Sequence, residues 1–314
     1  MYEDLTGKLL AGEKQACARL ISIVENENAG FTEILKTLYP YMDNTYVIGI
    51  TGPPGAGKST LTDKLVKRLT TPEYSTAFDL SFDDRSNNSG ETGKKVGIIA
   101  IDPTSPFTRG AILGDRIRMG SISENKNVFI RSMGTRGHLG GLSKATANAL
   151  VVLAAYGCSY IIIETVGVGQ SEIDIIRYAD TTLMVLAPGL GDDIQAIKAG
   201  IMEIGDIFAI NKADRDGADK TYREIQVMLD FKTDWDFKPP VHKTNAETGE
   251  GVEELLEGIL AHRKFLIDSD KLAEKRAQKK AAHLRDIIRN TLDRRTEEMI
   301  KSYTDMETVW TFLK

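Results

Sequence analysis

Six apolar segments of strand length, rich in β-branched residues, recur along the middle of the chain: Tyr46–Ile50, Val96–Ile101, Asn127–Ile130, Tyr160–Ile163, Thr181–Ala187 and Ile207–Ile210. Helical stretches separate most of them. Strands that are apolar on both faces need cover on both faces, and a strand–helix alternation supplies it. The pattern predicts an α/β fold built on a mainly parallel sheet flanked by helices. Ligands of such sheets sit beyond the carboxyl ends of the strands, and the motifs described below fall at those ends.

Helical patterns flank this region. Leu9, Leu10, Cys17, Leu20, Ile21 and Val24 recur at three- and four-residue steps, and a second short helix is expected from Phe31 to Tyr39, stopping at Pro40. Beyond Asp268 no strand signal returns. Ala277, Ala281, Leu284, Ile288 and Leu292, then Met299, Tyr303 and Met306, mark an amphipathic helical tail richer in Lys and Arg than in Asp and Glu. The expected organisation is a helical N-terminal extension over 1–44, an α/β domain over 45–267 and a C-terminal helical arm over 268–314. Residues 71–95, rich in Ser, Thr, Asp, Asn and Gly, read as an exposed insertion, a tolerated surface loop ahead of a regulatory one. The tail is either a solvated helix docked on its own domain or a self-association arm. The arm is favoured because a complete domain leaves little core for a later helix to join.

Composition excludes several classes. Among 314 residues, 41% are hydrophobic and 27% charged, ordinary values for a globular chain and not for a disordered or fibrous one. Two cysteines, Cys17 and Cys158, cannot build a disulfide framework or a Cys-rich metal cluster. A net charge of −5 argues against a dedicated nucleic-acid binder. The opening MYEDLTGKLL lacks the pattern of a secretory signal, and no apolar run reaches membrane-spanning length. No membrane partner is expected; the expected compartment is the cytoplasm, with an organelle interior after removal of a leader as the other consistent site.

The segment Gly52-Pro-Pro-Gly-Ala-Gly-Lys-Ser-Thr60 carries the most specific signal. It follows an apolar strand and opens a helical stretch, Leu61–Leu69, which is the context a phosphate-binding loop requires. Glycines let the backbone wrap so that its N–H groups face phosphate oxygens, and the helix N-terminus favours an anion. Gly52, Pro54, Gly55, Ala56, Gly57, Lys58, Ser59 and Thr60 are the candidate phosphate-binding residues. Lys58 is expected to reach the β- and γ-phosphates and Ser59 to ligate Mg²⁺.

A strand end at Asn211-Lys212-Ala213-Asp214 suggests which base the site takes. A carboxylate at Asp214 can accept both guanine N1–H and N2–H₂, a donor pair that adenine lacks. The Lys212 stem can cover the base, and Asn211 can tie this loop to the phosphate loop. Thr244-Asn245-Ala246-Glu-Thr-Gly249 resembles the loop in which a GTPase reads guanine O6 with an Ala backbone N–H; here Asn245 stands where Ser is usual and Ala246 supplies the N–H.

Tyr160-Ile-Ile-Ile-Glu-Thr-Val-Gly167 has the form of a strand running into a Mg²⁺- and γ-phosphate-sensing loop, with Glu164 as the acid and Gly167 as the sensor. Glutamate in place of aspartate favours a water-mediated hold on the metal. Val168 follows the glycine where Ras-like enzymes place Gln, and Gln170 comes two places later, so a Ras-like glutamine mechanism is not expected. Asp102, at the end of a strand, can orient the attacking water or cap a turn before Pro103. Asp115 can approach Mg²⁺ from the segment that follows. Arg131 to Leu142 is a further glycine-rich loop, in which His138 reads as a surface or partner contact. Asp193, Gln195 and Lys198 open another helix, where carboxylate capping and a solvated lysine are the simpler account.

Taken together, GPPGAGKST, DPTSPFTRGAILGDRIRM, RSMGTRGHLGGLS, ETVGVGQSE, PGLGDDIQAIKAGIMEI and NKAD resemble the MeaB/ArgK group of P-loop GTPases, from about Leu5 to His262. The insertion at 71–95 and Asn245 depart from that group's pattern. The resemblance implies a homodimeric, Mg²⁺-dependent GTPase that serves an adenosylcobalamin-dependent acyl-CoA mutase as a G-protein chaperone, in cofactor loading, protection and reactivation. It further implies that Asp102, Asp115 and Glu164 are magnesium and switch residues, that Gln195 and Lys198 lie in a third switch, and that the tail is a dimerisation arm. Catalysis is thereby assigned to Lys58, Asp102 and Lys198, and switching to Gly167, Gln170, Asp193 and Gln195. GTP and GDP are the expected ligands, with no tightly bound cobalamin. A metallochaperone GTPase and a nucleotide-dependent kinase are the alternatives; the scattered His138, His242, His262 and His283 weigh against the first.

Overall fold

The computed structural model describes residues 2–71, 94–102, 122, 124–134, 141–165, 177–189 and 205–302. Within them lie seven strands: β1 (Tyr46–Thr51), β2 (Lys95–Asp102), β3 (Val128–Gly134), β4 (Cys158–Thr165), β5 (Thr181–Leu186), β6 (Ile207–Ile210) and β7 (Val241–Lys243). The helices among the described residues are α1 (Tyr2–Leu10), α2 (Lys14–Glu25), α3 (Phe31–Leu38), α4 (Lys58–Leu69), α5 (Gly141–Ala155), α6 (Ala218–Asp230), α7 (Val252–Asp268) and α8 (Lys271–Ser302). The strands form one sheet in the order β3-β2-β4-β1-β5-β6-β7, and every pairing is parallel.

The two-residue period of the strands divides the core between the two faces of the sheet. Tyr46, Ile48, Ile50, Ile98, Ile162, Leu183 and Val185 pack with α4 and α7. Their chain neighbours Val47, Ile99, Ile101, Ile161 and Ile163 face the other way, onto α5 and the N-terminal helices. On that same side of β5 and β6, Met184, Leu186, Phe208 and Ile210 meet Ile225 and Leu229 of α6. Continuous apolar strands are therefore a necessity here, because both faces are covered.

The N-terminal helices join the second of these clusters through Leu9, Cys17, Leu20, Ile21 and Val24. Leu10 does not: it ends α1 and is exposed, since one helical step past buried Leu9 turns it about 100° away. The α-helix α3 ends at Leu38, as expected ahead of Pro40, although a 3₁₀ turn carries the chain past the proline. Pro40 lies in the first turn of a 3₁₀ helix, Tyr39–Asn44, where its missing N–H costs no hydrogen bond. The excursion at 71–95 falls mostly outside the described residues; its last residue, Lys95, opens β2.

At the amino edge of the sheet, polar groups pin α7 in place. The Tyr46 hydroxyl meets Thr181 Oγ1 at 2.5 Å, Thr181 meets His262 Nδ1 at 2.8 Å, and Arg263 donates to the Tyr160 hydroxyl at 2.7 Å. The carboxyl edge is left to the loops. From β1 the chain passes to β2 and β3 on one side, while β5 and β6 lie on the other. The carboxyl end of β1 thus sits where the strand order reverses, the usual ligand position in such sheets.

Residues Met1–Leu272 form one compact unit and Ala273–Lys314 a second. In the second unit, Leu284, Ile288 and Leu292 stand exposed at four-residue steps along α8, with Met299 further on. Among the described residues no helix is long and apolar enough to cross a membrane.

Candidate functional site

The loop that leaves β1 is shaped by three left-handed glycines, Gly52 (φ 140), Gly55 (φ 76) and Gly57 (φ 89). Two of them also lack room for a side chain. A Cβ on Gly52 would fall 2.0 Å from the Val185 carbonyl oxygen, and one on Gly57 would fall 2.3 Å from Asn211 Nδ2. The loop is therefore pressed against β5 on one side and the end of β6 on the other. Gly57 caps α4 with no side-chain hydrogen bond, so the first-turn N–H groups remain available to an anion. Lys58 is buried, and its ammonium donates to the carbonyls of Gly52 at 2.7 Å and Pro53 at 3.0 Å. The positive charge is held inside the concavity of the loop.

One residue further on, Ser59 Oγ donates to Glu164 Oε1. Glu164 is 4% exposed, near the end of β4 and in register with Ile50 of β1. Beside it, Thr165 Oγ1 donates to Thr51 Oγ1 at 3.2 Å, joining the two strand ends. A serine hydroxyl next to a buried carboxylate is a hard oxygen set of the kind Mg²⁺ takes, so these residues fit the ion that a P-loop implies. Asp102 is the last residue of β2, paired with Gly134, one position past the Ile101–Thr165 pair. Its side chain, and the expected switch and metal residues Asp115, Gly167, Gln170, Asp193, Gln195 and Lys198, lie outside the described residues.

Buried Asn211, just after β6, connects the two halves of the site. Its Nδ2 donates to the Ala56 carbonyl at 2.8 Å, and its Oδ1 accepts the Ala246 N–H at 2.9 Å. Lys212 adopts left-handed geometry (φ 59), which swings its side chain back over the loop, where Nζ donates to the Gly55 carbonyl at 2.6 Å. Asp214 is exposed at the lip of the site, and Asn245 Nδ2 donates to its Oδ1 at 3.0 Å. Pro54 and Thr60 complete the stretch from loop to helix. The constellation offers backbone donors and an ammonium to a polyphosphate, oxygen donors to a cation, and a carboxylate beside a backbone N–H to a flat base.

Four contacts escape a reading of the chain alone: Thr51 with Thr165, Lys212 with Gly55, Gly52 with Val185, and Asn245 with Asp214. Each joins segments distant in sequence, and only the Asn at 245 left a local trace, as an unusual residue in its motif. Elsewhere, among the described residues, no group of three or more His, Cys, Asp or Glu side chains could hold a metal. Burial pushes the Cys17 thiol up, and Cys158 to about 12, so neither offers a thiolate.

Comparison with known proteins agrees with this geometry. A family model described as methylmalonyl Co-A mutase-associated GTPase MeaB matches residues 17–301. A protein of Pyrococcus horikoshii named as a GTPase is 49% identical over 308 residues, covering 97% of this chain and 91% of that protein. GTPase ArgK of Escherichia coli is 34% identical over 288 residues, covering 88% of this chain and 81% of its own length. Among solved structures, that of an LAO/AO transport system kinase has the same fold, with a TM-score of 0.67 at 24% identity over 98% of this chain and 88% of that one. A parallel sheet with its phosphate loop at the point of strand-order reversal, the end of β6 tied to that loop through Asn211, and a family match over nearly the whole length lead to one assignment: the chain belongs to the MeaB family of P-loop GTPases.

Proposed function

We propose that the protein is a Mg²⁺-dependent GTPase that acts, as a homodimer, on an adenosylcobalamin-dependent acyl-CoA mutase, loading, protecting and reactivating it. The observation that carries the guanine part is Asn211. It hydrogen-bonds both the phosphate loop at Ala56 and the N–H of Ala246, so base recognition and phosphate recognition belong to one rigid unit. In this reading Asp214 accepts N1–H and N2–H₂ of guanine, the Ala246 N–H donates to O6, and the Lys212 stem lies across the base.

The loop N–H groups from Gly52 to Thr60 bind the phosphates. Lys58, fixed by two carbonyls, meets them with little side-chain entropy left to lose. Ser59 and Glu164, with Asp102 and Asp115, would hold Mg²⁺, which neutralises charge on the phosphate oxygens when bound. Asp102 orients the attacking water for in-line cleavage of the β–γ bond, and Lys58 stabilises charge on the transferring phosphoryl group. Gly167, Gln170, Asp193, Gln195 and Lys198 serve as the elements that sense the nucleotide and respond to the partner. The family's description as mutase-associated supports the choice of partner. The exposed apolar row Leu284, Ile288 and Leu292 on the tail supports self-association.

The decisive experiment is GTP hydrolysis by the full chain, with and without a cognate cobalamin mutase. Turnover is expected to be slow alone and faster with the partner; an unchanged rate removes the partner-gating reading.

A further inference from the structure

We infer that Glu25 and Arg131 are a positioning pair for GTP hydrolysis: together they fix the edge strand on which the backbone of Asp102 depends, and so keep that carboxylate where it orients the attacking water. This rests on the role proposed for Asp102 above and assigns the contact that holds it in place.

Asp102 differs from the rest of β2 in what holds it. The residues before it pair with β4, from Lys95 with Cys158 to Ile101 with Thr165, whereas Asp102 pairs with Gly134 of β3 alone among the described residues. β3 in turn is the edge of the sheet, with β2 as its one strand neighbour among the described residues. A strand end held by a ladder on one side only opens easily unless something else supports it. Helix α2 supplies that support. At the start of the helix, Lys14 Nζ donates to the Val128 carbonyl at 2.9 Å, at the start of the strand. At the far end of the helix, Arg131 Nη2 donates to Ser22 Oγ at 3.3 Å and forms an ion pair with Glu25. Arg131 stands on the same strand as Gly134, a single turn of the pleat away.

The Glu25 carboxylate is a fixed point. Its side chain is only 8% exposed, and the chain around it is tied to α5: Asn148 Nδ2 donates to the Val24 carbonyl at 3.2 Å, and Lys144 pairs with Glu27. On the strand side, Arg131 shares its face with Phe129 and Met133, both in the apolar cluster that includes α5 and the N-terminal helices. Its Nε is buried without a hydrogen-bond partner. Without Glu25 the guanidinium would be left among apolar side chains with its charge unmatched, and the strand would shift to bring it to water. That displacement reaches Asp102 through Gly134. The phosphate loop and Asn211 follow β1 and β6, separated from β3 by β2 and β4, so nucleotide affinity is spared while hydrolysis is not.

The experiment sets rate against affinity in full-length chains. Glu25→Gln keeps the shape and one acceptor but removes the charge, and should lower the single-turnover rate of GTP hydrolysis about fivefold. Glu25→Ala should lower it about tenfold or more. Calorimetric GDP affinity should stay within about twofold of wild type in both. Because the two side chains act as a unit, Glu25→Ala combined with Arg131→Met should lose no more rate than Glu25→Ala alone. Lys14→Met is the structural control: it breaks the same helix–strand seam roughly 20 Å from Gly134, and should lower the melting temperature without slowing hydrolysis. Wild-type rates in the Glu25 variants overturn the inference. So do additive losses in the combined variant, a rate loss matched by lost GDP affinity, or the same rate loss in Lys14→Met. An Asp102→Asn chain as fast as wild type, or a wild type with no turnover, overturns the reading beneath it, a separate and distinguishable failure.

Discussion

The side chain of Asn211 donates to the Ala56 carbonyl at 2.8 Å across the mouth of the site, so the phosphate loop cannot shift without moving the strand end that carries Asp214. Asn211→Ala would leave that carbonyl and the Ala246 N–H without their buried partner. Each loss costs about 1–3 kcal/mol. GDP affinity measured by calorimetry should drop at least tenfold by this estimate, with a lower melting temperature even without nucleotide. A variant that binds as wild type does would separate the two loops energetically and remove the rigid-unit argument.

Gly52 and Gly55 share left-handed backbones but differ in their surroundings. A Cβ at Gly52 meets the Val185 carbonyl at 2.0 Å, whereas one at Gly55 meets nothing within 4 Å. Gly55→Ala should therefore cost only the backbone strain, about 1–2 kcal/mol. Gly52→Ala must push the loop off β5, a cost of roughly 3 kcal/mol or more, and should abolish nucleotide binding. Thermal unfolding and calorimetry on the pair check the order; equal effects would mean that the contact with β5 is not what shapes the loop.

How much of the fold and the site is legible in the sequence follows from the range of each interaction. The strands were readable because each is buried on both faces, and the resulting runs of Ile, Val and Leu are local. The phosphate loop and the Asn211–Asp214 strand end were readable because each is a contiguous motif with a required neighbour. The pairing of Asn245 with Asp214 was not, because it depends on how two loops approach after folding. Leu10 fits the three- and four-residue spacing yet lies off the buried face, because that spacing tolerates a neighbour one step away. Pro40 marks the end of the α-helix but not of the helical path, because the first turn of a 3₁₀ helix accepts it without loss.

Asp214→Asn replaces a double acceptor with a group that can both donate and accept. Guanine loses its match and xanthine, with a carbonyl at C2, gains one. GTP affinity should fall and xanthosine triphosphate affinity rise, each on the order of tenfold or more. Competition binding with both nucleotides reads the swing. An unchanged preference would mean that Asp214 does not face the base.

A cut after Leu272 follows the boundary between the two compact units, Met1–Leu272 and Ala273–Lys314. Truncation after Leu272 deletes the exposed row Leu284, Ile288 and Leu292 while keeping Leu272 in the core and the ion pair of Lys271 with Asp236. If the arm mediates self-association, light scattering should report a monomer for the truncated chain and a dimer for the full one. A dimer that survives truncation would assign the interface to the first unit.

His242 supplies a pH dependence whose sign can be worked out. It lies in the middle of β7, one residue short of the strand end that leads into the Thr244–Ala246 loop, and packs so closely on α7 that a Cβ at Gly258 would fall 2.6 Å from its Nε2. That nitrogen is buried without a hydrogen-bond partner. Burial holds the imidazole below its ordinary value, with Glu254 and Glu257 pulling weakly the other way. An unfolded His titrates near about 6.5. Below that pH the unfolded chain takes up a proton that the folded chain resists, so the unfolded state binds more protons and stability rises with pH. The contribution is present in full above about pH 6.5 and is lost as pH falls toward the depressed folded value. Melting temperature should therefore decline between about pH 7.5 and 5.5, and His242→Gln, which cannot take up the proton, should flatten that part of the slope. Because β7 leads into the base-side loop, guanine nucleotide affinity should weaken over the same interval in the wild type and less so in the variant. Parallel slopes for the two proteins, in melting and in binding, would place the acid sensitivity elsewhere.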